Sequence, residues 1–175
     1  RFVVAYFVLD SFKPYNDVYG YAQGDQVILH LAGLLKNMFS ARLDFVAHVG
    51  GDDFIVVMRS ADWRERVNRI IQRFTATVAN FYSPEHTAAG QITSSDRDDK
   101  KQSFPLLTVS VAALDSQTTG AGPADAVAHL LAHVKKLAKQ QSGNSFILRS
   151  DERVVDLLVA RKSESELVSE PMTGS

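Results

Sequence analysis

Two glycines and two aspartates in a row, Gly50 to Asp53, are the residues of this chain best suited to chemistry. They lie between two apolar runs, residues 45–47 and 54–57, a pattern that predicts a β-hairpin with a tight turn. Glycine accepts a positive φ at little cost and leaves the backbone bare, and paired carboxylates are hard ligands of the kind that Mg²⁺ prefers. The turn therefore predicts a phosphate and metal site, although an ordinary hairpin with solvated acids would have the same pattern.

A second polar segment, residues 12–25, lies between an apolar strand pattern and an amphipathic helix pattern, and it is too polar for a protein core. It contains Phe12 and Lys13, then Asn16 and Asp17, Gly20, and Gly24 and Asp25. Together with the glycine turn, this segment resembles the GGDEF family. The family fingerprint is a strand ending in Asp-x-Asp, then Phe-Lys-x-x-Asn-Asp, Gly, Gly-Asp and a later Gly-Gly-Asp/Glu-Glu-Phe. The resemblance covers roughly residues 2–148 and keeps the spacings of the motifs.

The resemblance implies an activity and a set of site residues. GGDEF domains make cyclic di-GMP from two GTP molecules, and two domains face each other across a twofold axis, so any catalysis implies a homodimer. The catalytic residues implied are Asp52 and Asp53, and the metal ligands implied are the same two carboxylates and the backbone carbonyl of Leu9. The nucleotide-binding residues implied are Phe12, Lys13, Asn16, Asp25, Gly50, Gly51 and Lys139.

The nucleotide-binding residues divide into guanine recognition and phosphate binding. An amide and a carboxylate, from Asn16 and Asp25, can pair with the O6, N3 and N1/N2 edges of guanine in a way that adenine does not satisfy. Lys13 and Lys139 would meet phosphate as point charges. The same residue types also suit plainer roles, with Asn16 in a turn, Asp25 as a helix cap and Lys139 on an exposed surface.

The chain departs from the family pattern at the first metal ligand. Counting back from Phe12 places Asp10 at the second aspartate of Asp-x-Asp and Val8 at the first, which is the ligand. Two such strand residues point to one face about 6.5–7 Å apart, so Asp10 cannot replace the missing ligand without a backbone shift. Losing one of three carboxylates predicts a weakened Mg²⁺ site, with turnover affected more than guanine binding.

Three further positions differ from the pattern. Ala41 stands where the product-inhibition motif Arg-x-x-Asp has its arginine, so we discount an inhibitory site although Asp44 keeps the aspartate. Gly143 replaces a phosphate-binding arginine four residues after Lys139, which removes a bidentate contact. His48 replaces the usual arginine before the glycine turn, and we expect it to pack and hydrogen-bond rather than bind metal.

The rest of the sequence predicts the elements that position these residues. Apolar periodicity predicts a buried strand over 2–9, a helix over about 27–38 and a hairpin over 44–58, and residues 60–65 supply capping groups ahead of a second helix through about 81. An exposed insertion over 82–104 is followed by a strand at 105–114, a helix ending near 141 and a short strand at 145–148. This order predicts an α+β fold with a central mixed β-sheet flanked by helices. The resemblance implies the palm-like nucleotide cyclase fold.

We expect one GGDEF domain over residues 1–149 and a C-terminal tail over 150–175 that forms a short helix or is disordered. The chain starts inside an apolar strand without an initiator Met, so we expect it to be part of a longer protein. Several features, including residues 135–146, are similar to GGDEF domains that follow EAL and CBS domains. This similarity implies such domains upstream.

Composition argues against several classes of function. A formal net charge of −1 argues against binding of long nucleic acid. The chain has no cysteine, which excludes disulfides and thiolate metal sites. No apolar run approaches the roughly 18 residues that span a bilayer, so we expect a cytoplasmic protein with no membrane segment in this part of the chain.

Three functional hypotheses follow. The first is a degenerate domain of bacterial cyclic di-GMP signalling that binds guanine nucleotide, either GTP or cyclic di-GMP, with weak or lost diguanylate cyclase activity. The second is an active cyclase that works as a homodimer. The third is a structural dimerisation domain that binds no nucleotide.

Overall fold

The computed structural model describes residues 2–95, 101–117, 124–150, 153–158 and 166–167. The helices are α1 Phe12–Tyr19, α2 Tyr21–Met38, α3 Trp63–Thr77, which continues into a 3₁₀ turn Val78–Phe81, α4 Pro84–Ala89 and α5 Ala124–Lys139. The strands are β1 Val3–Asp10, β2 Phe45–Gly50, β3 Asp53–Met58, β4 Gln91–Ser95, β5 Lys101–Pro105, β6 Thr108–Asp115, β7 Ser145–Ser150, β8 Arg153–Asp156 and β9 Glu166–Leu167.

Seven of these strands form one mixed sheet in the order β2-β3-β1-β6-β7-β8-β9. Only the β6–β7 pair among them is parallel, because α5 carries the chain back to the same end of the sheet between these two strands. β4 and β5 form a separate hairpin. The predicted α+β fold with a central mixed sheet and flanking helices is therefore confirmed.

The two faces of the sheet have different environments. The central strand β1, between β3 and β6, shows this because its side chains alternate between the two faces. Ala5, Phe7 and Leu9 face the main core, which also contains apolar residues of α2 and α3. The alternate residues of β1 face α5, where Tyr6 packs against a small cluster that includes Val134. The period of two along β1 thus places Val8 and Asp10 on the α5 face.

The polar segment 12–25 is helical almost throughout, which the sequence did not predict. α1 starts directly after β1, with Ser11 at φ 60°, and α2 starts at Tyr21, six residues before the predicted helix. Gly20 separates the two helices at φ 84°, a value that glycine adopts without strain. The turn considered for Asn16 and the helix cap considered for Asp25 are therefore wrong, because Asn16 lies within α1 and Asp25 lies within α2.

Two segments later in the chain also differ from expectation. The strand predicted at 105–114 starts at Thr108, since Pro105 ends the preceding hairpin strand. Residues 82–104 include α4 and the β4–β5 hairpin, and the Ile92 side chain of this insertion is buried in the main core.

The C-terminal tail contributes strands rather than a short helix where the structure describes it. Residues 153–156 form β8, which pairs antiparallel with β7, and 166–167 form β9 beside it. Leu158 is buried in the main core, and the Leu157 N–H donates to the Phe146 carbonyl. Helix or disorder is therefore the wrong expectation for these residues, because the open edge of β7 offers backbone partners. In the described part of the chain, no helix combines the length and apolar character that crossing a membrane requires.

Candidate functional site

The glycine turn joins β2 to β3 at the end of the hairpin. The register shifts between His48 and Gly50, so an extra residue bulges there, and Gly50 and Gly51 have φ values of 148° and 56°. His48 stacks on the Phe54 ring, and its Nε2 donates to the Gly51 carbonyl at 2.8 Å. The expected hydrogen-bonded role of His48 is confirmed. Its ring stabilises the glycine turn through the contacts with Gly51 and Phe54.

Phe12, Asn16 and Gly24 meet at the junction of α1 and α2, which we call the α1–α2 cleft. A Cβ built on Gly24 would lie 1.9 Å from the Asn16 Oδ1 and 3.2 Å from the Phe12 ring. The Asn16 Oδ1 is buried and has no hydrogen-bond partner among the described residues. A side chain at position 24 would therefore displace the Asn16 amide, whose Oδ1 has an unmet hydrogen-bonding capacity.

Asp10 lies at the end of β1 next to the residues of the turn. Its Oδ2 accepts hydrogen bonds from the Ser110 hydroxyl at 2.6 Å and the Thr108 hydroxyl at 3.0 Å. Burial raises the pKa of Asp10 and the nearby Asp52 carboxylate raises it further, while the two hydroxyls and the Lys139 ammonium lower it. Asp10, Asp52 and Lys139 are thus close enough to interact electrostatically.

Asp53 is engaged by a residue that the sequence analysis did not assign to the site. The Lys135 Nζ of α5 lies 2.8 Å from both the Oδ1 and the Oδ2 of Asp53. Asp53 is the cross-strand partner of Val8, whose side chain is buried. Lys135 follows the buried helix positions Leu131 and Val134, so its place beside the apolar stripe of α5 was the one available signal.

The other expected site residues are exposed or have a structural role. Lys13, Asp25 and Lys139 are exposed on α1, α2 and α5. The Asp44 carboxylate is buried and accepts hydrogen bonds from the backbone N–H groups of Ser40, Arg59 and Ser60. Asp44 therefore ties the two ends of the hairpin together, which explains its presence without an inhibitory site.

The residues present do not fit a divalent cation. Across the described ranges, no three His, Cys, Asp or Glu side chains converge in a way that could hold a metal ion. Both oxygens of Asp53 face the Lys135 ammonium, one oxygen of Asp10 faces two hydroxyls, and Val8 has no ligand atom. A Mg²⁺ ion needs several oxygen ligands in near-octahedral geometry, which these side chains do not offer, and the metal-binding roles of the Leu9 carbonyl, Asp52 and Asp53 stay a prediction.

Comparison with known proteins decides the family. The family model described as "Diguanylate cyclase, GGDEF domain" matches residues 1–97, more than half of the chain. The chain belongs to the GGDEF family. This confirms the resemblance drawn from the two motifs, and the matched range contains the β1 end, the α1–α2 cleft and the glycine turn of this GGDEF domain.

Two curated relatives cover less than half of the GGDEF domain described here. "Uncharacterized protein YhcK" of Bacillus subtilis is 34% identical over 80 residues, which is 46% of this chain and 22% of the relative. "Bifunctional diguanylate cyclase/cyclic di-GMP phosphodiesterase MucR" of Pseudomonas aeruginosa is 31% identical over 78 residues, 43% of this chain and 11% of the relative. This chain thus spans less than a quarter of the length of either relative.

A solved structure confirms the cyclase fold of this GGDEF domain. The GGDEF domain of DgcB from Caulobacter crescentus, in complex with c-di-GMP, superposes with a TM-score of 0.57 at 19% identity. The match covers 82% of this chain and 74% of that chain. At this identity the likeness establishes the fold and no more.

Proposed function

We propose that this GGDEF domain binds a guanine nucleotide, GTP or cyclic di-GMP, in bacterial cyclic di-GMP signalling, with diguanylate cyclase activity weak or lost. Guanine is bound in the α1–α2 cleft by Asn16 and Asp25, with Phe12 beside them. The phosphates lie toward the glycine turn, where Gly50 and Gly51 leave the backbone accessible and Lys13 and Lys139 supply positive charge.

The observation that carries this proposal is the packing of Asn16 against Gly24. A buried polar atom without a hydrogen-bond partner costs about 1–3 kcal/mol, and a bound ligand that supplies the missing donor recovers that cost. Guanine has both donors and acceptors on one edge, and a side-chain amide has both as well. The Asn16 amide, whose Oδ1 is buried against Gly24, is therefore matched to such a base.

Weak or lost cyclase activity follows from the carboxylates. Joining two GTP molecules requires neutralisation of the charge that develops at the α-phosphate, which metal ions provide in phosphoryl transfer. Val8 contributes no ligand, and Asp53 is paired with Lys135. We propose that Asp52 and Asp53 occupy the catalytic positions of the family reaction. We expect little cyclase turnover from them in this chain.

Titration calorimetry with GTP, cyclic di-GMP and ATP tests nucleotide binding by the 175-residue chain. We expect saturable binding of at least one guanine ligand well below about 1 mM, and none of ATP. Asn16→Ala should weaken guanine binding at least tenfold, while Asn80→Ala, at an exposed position of the 3₁₀ turn, should leave it unchanged. Absence of guanine binding would favour the structural dimerisation domain instead.

Product analysis separates the binding domain from an active cyclase. Incubation with GTP and Mg²⁺ should yield little cyclic di-GMP by chromatography. Rapid formation that increases with the square of protein concentration would support the alternative of an active homodimer, because each domain would supply half of the reaction centre.

The domain also fits into a larger regulatory protein in this proposal. MucR, one of the relatives, is named as a bifunctional cyclase and phosphodiesterase, and this chain spans 11% of its length. Nucleotide binding to this domain would then regulate an EAL, CBS or sensory domain upstream, or be regulated by it. Size-exclusion chromatography of the longer protein with and without GTP would test whether nucleotide changes its assembly.

A further inference from the structure

We propose that the Lys135 ammonium is a built-in cation that takes the place of a divalent metal ion at the Asp53 carboxylate, so that this domain takes its guanine nucleotide without Mg²⁺. The inference rests on the proposed function only for the nucleotide. The replacement of the metal by a lysine is argued from the α5 face of the sheet alone.

The first step is the geometry of the ion pair. The Lys135 Nζ lies 2.8 Å from each oxygen of the Asp53 carboxylate, so it sits in front of the carboxylate where a metal ion would bind both oxygens. The same Nζ lies 5.1 Å from the centroid of the Tyr6 ring. Cations are attracted to the faces of aromatic rings, so Tyr6 and Asp53 hold the ammonium together.

The second step is the protection of this pair from water. The side chains of Lys135 and Asp53 are 28% and 29% exposed. Val8, the cross-strand partner of Asp53, is buried and lines the same α5 face of β1 as Tyr6. A partly buried ion pair is screened less by solvent and salt than a surface pair, so it persists as a structural feature.

The third step is the balance of charge. Val8 is neutral and the positive charge of Lys135 balances the negative charge of Asp53, so these three residues add no net attraction for a divalent cation, and the nearby charges of Asp10, Asp52 and Lys139 are the same with or without Lys135. A second carboxylate at position 8 would leave one negative charge. The aliphatic residue at 8 and the lysine at 135 therefore complement each other, 127 positions apart in the sequence.

The direct test is Mn²⁺ binding, followed by electron paramagnetic resonance in the absence of nucleotide. We expect wild type to bind Mn²⁺ no tighter than the control Lys136→Met, an exposed neighbour on the same helix. Lys135→Met should bind Mn²⁺ more tightly than wild type, and the double variant V8D/K135M should bind it at least tenfold more tightly. Equal Mn²⁺ affinity of wild type and the double variant, with loss of wild-type binding in Asp53→Asn, would overturn the proposal.

A second measurement needs no variant and covers the case in which one of them fails to fold. The affinity of wild type for GTP in excess Mg²⁺ and in EDTA should agree within twofold. A tenfold or greater gain with Mg²⁺ would overturn the proposal. If no nucleotide binds under either condition, the proposed function fails, while the Mn²⁺ affinity of wild type still decides the role of Lys135.

Discussion

At the scale of single residues, the candidate site depends on side chains that are absent as much as on those that are present. Gly24 makes room for the Asn16 amide, and Val8 removes an oxygen ligand from the neighbourhood of Asp53. Neither Gly24 nor Val8 contacts a ligand through a polar group of its own. Both change what a neighbouring polar group can bind.

Gly24→Ala should damage both the fold and the cleft. The new Cβ would lie 1.9 Å from the Asn16 Oδ1 and 2.9 Å from its Cγ, so the Asn16 side chain or the α1–α2 packing must shift. We expect a loss of about 1–3 kcal/mol in the free energy of unfolding, measured by urea denaturation, and weaker guanine binding.

Gly33→Ala is the matched control on the same helix. A Cβ at Gly33 meets nothing within 4 Å, so alanine should stabilise α2 by about 0.5–1 kcal/mol through its better helix propensity. If the two variants had the same stability, the close packing of Asn16 on Gly24 would be refuted.

At the scale of elements, the contact of α2 with α3 includes a partly buried histidine, His30. The His30 ring lies against Phe74 and Phe81, and its Nε2 is 2.8 Å from the Thr77 hydroxyl oxygen. The Thr77 hydroxyl donates to the carbonyls of α3, so the His30 Nε2 donates to Thr77. A neutral His30 ring that carries its proton on Nε2 is sufficient for this hydrogen bond.

Acidification should therefore weaken the fold through His30. Burial lowers its pKa below the ordinary value of 6.5, so the folded state resists protonation that the unfolded state accepts. The stabilisation is full above pH 6.5 and is lost as the pH falls through the lower folded-state pKa.

Urea denaturation at pH 7.5 and 5.5 measures this effect. Wild type should lose more stability between the two pH values than His30→Gln, which keeps a donor for Thr77. His133→Gln removes a histidine from an exposed position of α5 and is the control. Identical pH dependence in wild type and His30→Gln would show that the packing of His30 does not oppose its protonation.

At the scale of the whole molecule, the sheet extends beyond the last predicted strand. β8 and β9 lengthen it past β7, and Leu158 joins a core whose other members include residues of β1, α2 and α3. The GGDEF domain described here thus uses residues that follow position 150 as part of its own fold.

Leu158→Ala tests this contribution of the tail. Because the Leu158 side chain is 9% exposed, its truncation should cost about 2 kcal/mol in the free energy of unfolding. Leu29→Ala removes an equal side chain that is 63% exposed on α2, and it should change stability by less than about 0.5 kcal/mol. Equal stability of the two variants would mean that the tail is not packed on the domain.

The sequence by itself determined the family, the β1 strand, the β2–β3 hairpin and the missing ligand atom at Val8. Residue type and short spacing carry all of this information, since glycine turns, alternating strands and motif positions are local features. The helical form of residues 12–25 was missed, because their polar composition concealed the start of two helices on either side of Gly20.

Only the tertiary structure decided which distant residues meet at the site and at the edge of the sheet. Lys135 pairs with Asp53 across 82 positions of sequence, and Tyr6 completes its surroundings from a third element. The face of α5 that packs on the sheet and the strand that pairs with β7 result from the packing of the whole chain. No local sequence pattern predicts which partner a helix face or an open strand edge will pack against. Each is compatible with many partners until the core is formed.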